Sequence, residues 1–167
     1  MISVTAALLI AAASCAIPPG EIELQAALPY QAFDSRDGPF GWRSLNAAGC
    51  TDAALALLAD YAAANDTRLT DEQSLELAFH AGQVLAFAGR ETEAIPYFEQ
   101  ATSGEAPPGW QAYVAATLAF LRQDATALEA ARNAYAQIAP DSVRLAIIDG
   151  LIACHDEAYL RAVHCGM

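Results

Sequence analysis

A chain of 167 residues, 55% hydrophobic and 17% charged, is the size of one domain and too apolar to stay disordered. Its formal net charge of −12 would be repelled by phosphate backbones and anionic membrane surfaces, so nucleic acid is excluded as an expected partner.

Residues 1–16 read MISVTAALLIAAASCA. The small, apolar run ending in Ser14-Cys15-Ala16 is the pattern of a short secretory signal with a small-x-small cleavage site, although no Lys or Arg precedes it. It is too short to span a bilayer, which takes about 20 apolar residues, and no later stretch is long enough. Ala12-Ala13-Ser14-Cys15 also resembles a bacterial lipoprotein cleavage site, which would make Cys15 the lipidated residue. That pattern prefers Leu where Ala12 stands. Either version implies export to the periplasm or cell envelope of a bacterium.

Residues 17–41 carry Pro18, Pro19, Pro29 and Pro39 with three glycines, and the spacing predicts an extended arm or linker with at most two helical turns near Glu21. A helical domain is expected over 42–167. Trp42 to Ala48 starts its first helix and Thr51 to Ala64 forms a long Ala/Leu helix. Thr70 and Gln73 fit a capping box. Beyond it, Leu75, Phe79, Gly82, Leu85 and Ala86 recur at spacings of three and four, as on one helix face. Gly89-Arg90 makes a turn, and Ala94, Ile95, Phe98 and Ala101 line a second helix, with Pro96 expected within about its first turn. Pro and Gly between Thr102 and Gly109 mark a loop. Trp110 to Leu121, then Asp124 to Ile138 with Asp124 as cap, form the next helices. Ser142 caps a helix over Val143 to Cys154, and Glu157 to Val163 forms a short last one.

The stretch from Leu75 to Ala101 resembles a degenerate tetratricopeptide repeat, a helix pair of about 34 residues. Gly82 stands at the family's inter-helix glycine and Gly89 at its turn glycine. Ala94, Phe98 and Ala101 stand at its small–aromatic–small positions. Ala78, Ala81 and Leu85 replace its usual Trp, Leu and Tyr. Leu85-Ala86-Phe87 recurs 33 residues on as Leu118-Ala119-Phe120, which aligns Ala94 with Ala127 and Ala101 with Ala134. Partial copies flank these two. The resemblance implies an all-α fold, a short right-handed superhelix of antiparallel helix pairs. It also implies a concave face that holds a peptide or a partner protein. On that face it sets Glu76, Phe79, Gln83 and Phe87 with Ala112, Ala116 and Phe120. Phe79, Phe87 and Phe120 would anchor the partner, and Gln83 would bond its backbone.

Four cysteines are present. If Cys15 is removed or lipidated, three remain, which in an exported protein leaves one spare thiol. Cys154–Cys165 is the pair nearest in sequence. A straight last helix would carry Cys165 about 10 Å too far, so the bond requires a kinked or oblique one. Cys154, His155, His164 and Cys165 match no common structural zinc spacing. No nucleophile elbow, phosphate loop or dinucleotide fingerprint appears, so neither enzyme activity nor a cofactor is expected. Glu76 and His80 are one helical turn apart and form the sole acid–base pair worth testing. They leave an enzyme or enzyme subunit with a site in the groove as one alternative, and a structural envelope protein as another.

Overall fold

The computed structural model describes residues 15–165 except Ser103 and Glu105. Most of the expected leader, residues 1–14, lies outside this range. Ten helices and no strand are found among the described residues: α1 (Pro19–Ala26), α2 (Tyr30–Asp34), α3 (Trp42–Ala47), α4 (Thr51–Asn65), α5 (Asp71–Phe87), α6 (Glu91–Gln100), α7 (Pro108–Leu121), α8 (Ala125–Ile138), α9 (Val143–Ala153) and α10 (Tyr159–Ala162). None is long and apolar enough to cross a membrane.

The two helical turns expected near Glu21 form as α1, but the rest of the arm is not extended, since α2 follows it. Pro18 and Pro29 stand at the N-caps of α1 and α2, where a missing N–H costs nothing, so the prolines start helices instead of breaking them. Phe33 of α2 is fully buried and stacks on Tyr61 of α4 with ring centroids 3.7 Å apart. Gln25 of α1 is buried as well and donates to the Phe40 carbonyl at 2.7 Å.

Helix α5 is the hub. Its capping box forms as expected, with Thr70 and Gln73 each bonding the other's backbone N–H. One side of α5 gives Leu77, Ala81 and Val84 to a core shared with α2, α3 and α4. Another gives Phe79, Leu85 and Ala86 to a second core that runs through α6–α10. Pro96 sits in the second turn of α6, one turn deeper than expected, so the Thr92 carbonyl has no intrahelical donor.

The turns fix the repeat register at 34. Arg90 N–H bonds the Leu85 carbonyl and Asp124 N–H bonds the Ala119 carbonyl in the same way. Gly89 and Gln123, at φ 74° and 57°, occupy the same left-handed position. The repeated Leu-Ala-Phe triplet is therefore one residue out of structural register. At 34 residues, Gly82, Ala116 and Gly150 align instead. Close packing explains why two of them lack a side chain. A Cβ at Gly82 would meet the Phe98 ring at 2.9 Å, and one at Gly150 would meet the Ala162 and Cys165 carbonyl oxygens at 2.6 and 2.7 Å.

Two disulfides are present and no cysteine is free. Cys15 pairs with Cys50 at a Cα separation of 5.3 Å, and Cys154 with Cys165 at 6.3 Å. The expected spare thiol is absent because Cys15 is bonded. A sulfur held in that bond is not available to a lipid, and cleavage after Ala16 would remove it. The second bond forms because α10 is a single turn that leaves the line of α9 and crosses to α5.

Candidate functional site

Glu76, His80, Gln83 and Phe87 lie on one stripe of α5, at spacings of four, three and four. The chain itself covers both ends of it.

At the N-terminal end the cover is α2. Tyr30 donates its hydroxyl to Glu76 Oε2 at 2.8 Å, and Asp34 Oδ1 lies 3.0 Å from His80 Nδ1, close but poorly aligned. Tyr30 and Asp34 are one turn apart on α2, as Glu76 and His80 are on α5, so the two helices match pair to pair. Arg43 also reaches Asp34 at 2.8 Å, and its guanidinium lies 4.1 Å from the Trp42 ring. Burial pushes the Asp34 carboxyl up, but His80 and Arg43 outweigh it and hold it below the ordinary range. Burial, then Glu76, raises the Tyr30 phenol. Glu76 and His80 thus serve separate partners and make no acid–base pair with each other.

At the C-terminal end the cover is Tyr159 of α10, fully buried. Its ring lies 5.6 Å from Phe87, 5.9 Å from Phe120 and 6.2 Å from Phe98. Its hydroxyl faces Thr117 and Gln83 without hydrogen-bond geometry to either. Burial raises that phenol strongly. Its backbone N–H donates to Glu91 Oε1 at 2.7 Å, which satisfies one open donor of the short helix.

Three of the four residues expected to hold a partner, Gln83, Phe87 and Phe120, therefore converge on one point, and the chain's own Tyr159 fills it. Phe120 is 0% exposed and Phe79 4%, the latter packed on Phe98, Trp110 and Tyr113, so neither ring is presented to a partner. Both rings fill the seam between hairpins. Phe87 and Gln83 remain partly exposed.

At the start of α5, on the far side of the α2 cover from α10, a cleft of about 170 Å³ stays open, lined by Glu72, Leu75, Glu76, Trp110, Tyr135 and Arg144. Three of these, Glu76, Trp110 and Arg144, are spaced 34 apart, the same repeat position in three successive first helices. Sequence reasoning had passed over this row, although the spacing was there to find. A separate apolar groove of about 350 Å³ runs between α4, α5 and α6, past Leu55, Leu77 and Tyr97.

Compared with family models, curated proteins and solved structures, the chain matches none.

Proposed function

We propose that the chain is an exported protein-interaction module, a short right-handed tetratricopeptide-like superhelix whose concave face takes a helical segment of a peptide or partner protein. Two disulfides support the oxidising compartment. The observation that supports the docking face most is the convergence of Gln83, Phe87 and Phe120 on Tyr159. A helical turn bearing one aromatic ring already rests there, which is how a helix binds a groove from another chain. The partner segment carries an aromatic side chain in the place of Tyr159. The enzyme alternative loses ground because Glu76 and His80 each face a partner on α2 instead of each other.

The test is a photo-crosslinking residue at position 87, with the exposed outer position 129 as control, in oxidised protein added to extracytoplasmic extract. A saturable partner is expected from 87, absent from 129, and increased when Cys154 and Cys165 are both changed to Ser. Equal capture from both positions, or none at micromolar concentration, overturns the reading.

A further inference from the structure

The arginines of this chain are almost fully spent. Six of the eight rest on a carboxylate, and Arg68 bonds Asn65 and the Ala26 carbonyl. Arg144 is the exception. Its guanidinium takes part in no hydrogen bond or ion pair among the described residues, in a protein with 20 acidic side chains. It lies 5.4 Å from the Trp110 ring and 5.3 Å from the Tyr113 ring. Stacking uses the faces of a guanidinium and leaves its in-plane N–H donors free for an oxygen acceptor. Arg144 is also the second residue of α9, where the helix end is itself positive and disfavours a cation. An anionic group beside it would relieve both problems.

The facing wall has the opposite sign. Glu72 is exposed without a partner, and Glu76 gives only one oxygen to Tyr30. With two carboxylates and one guanidinium the empty cleft is net negative, which opposes a multiply charged anion such as phosphate. Leu75, Trp110 and Tyr135 supply apolar surface in the same cleft, beside the charged groups. The volume, about 170 Å³, lies below the ~300–1,000 Å³ of sites for drug-sized ligands. A peptide helix does not fit such a space.

We infer that this cleft binds a small zwitterion, a free α-amino acid with an apolar side chain, its carboxylate on Arg144 and its ammonium between Glu72 and Glu76. The inference goes beyond the docking reading. It needs no protein partner, and its failure leaves the crosslinking test at position 87 untouched.

The probe is L-leucine, titrated into the oxidised chain at low salt, followed by calorimetry and by the fluorescence of Trp110, since Trp42 is buried on α3 away from the cleft. Saturable binding in the micromolar-to-millimolar range is expected, with losses of about tenfold or more for L-leucinamide, which lacks the carboxylate, and for N-acetyl-L-leucine, which lacks the ammonium. Arg144→Gln should lose at least about tenfold, the scale of one charge-assisted pair. Glu72→Gln, a surface change that leaves the fold intact, should narrow the preference for L-leucine over N-acetyl-L-leucine. Absence of saturable binding overturns the inference. So does binding of the acetylated form or of inorganic phosphate as tightly as L-leucine, or an Arg144→Gln titration equal to the parent's.

Discussion

At its N-terminal half the α5 stripe meets α2 through two polar pairs, whereas at its C-terminal half it meets α10 through a single aromatic ring. Tyr30 and Asp34 lie near solvent, so their partners need only replace water at the same cost. Tyr159 lies in the dry core, where its ring gains from burial and its hydroxyl gains nothing. Polar pairs are directional and hold one register. A socket of rings accepts any aromatic of similar size. On the proposed docking reading, the C-terminal half is the end at which the cover would be exchanged.

The contrast breaks most sharply at Tyr159→Ala, which empties the socket and should cost about 3–5 kcal/mol by urea denaturation. Changing Cys154 and Cys165 together to Ser frees the segment around α10 and should cost about 3 kcal/mol from the loop length alone. Gly82→Ala tests the seam beneath both halves. Helix propensity favours Ala by about 1 kcal/mol, but the buried Phe98 ring cannot move aside, so a net loss of about 1–3 kcal/mol is expected.

Smaller changes sharpen the comparison. Deleting one hydroxyl should act in opposite directions at the two ends. Tyr30→Phe should cost about 1 kcal/mol by removing the bond to Glu76, while Tyr159→Phe should be neutral or stabilising by up to about 1 kcal/mol. Smallest of all is the acid limb. Asp34 has a depressed folded value, so its contribution is complete above the ordinary aspartate pKa of about 3.9 and is lost as pH falls below that through the folded value. Asp34→Asn should flatten stability against pH in that window and leave the α10 end unchanged.

The helices were legible wherever local chemistry decides. The caps at Thr70, Asp124 and Ser142 form as their residue types require, and the α5–α6 hairpin follows the three-and-four spacing of its apolar residues. Register was misread because Leu-Ala-Phe repeats by composition while the turns repeat by hydrogen bonding. The arm was misread because a proline looks the same at a helix start as in a linker. The site was half legible. Its lining came from the stripe, but its occupant is a one-turn helix with little periodicity, placed by Gly150 and a sulfur bond. Arg144 was silent until its lack of a partner could be seen.

Each disulfide ties down one flank of the chain, and residues 51–153, which include both middle hairpins, contain no cysteine. Those hairpins assemble from sequence neighbours and need no oxidant. Reduction of both bonds would therefore release the flanks first and leave the middle hairpins their own packing. The sulfur bonds act as clasps at the two margins of a body whose middle does not contain them.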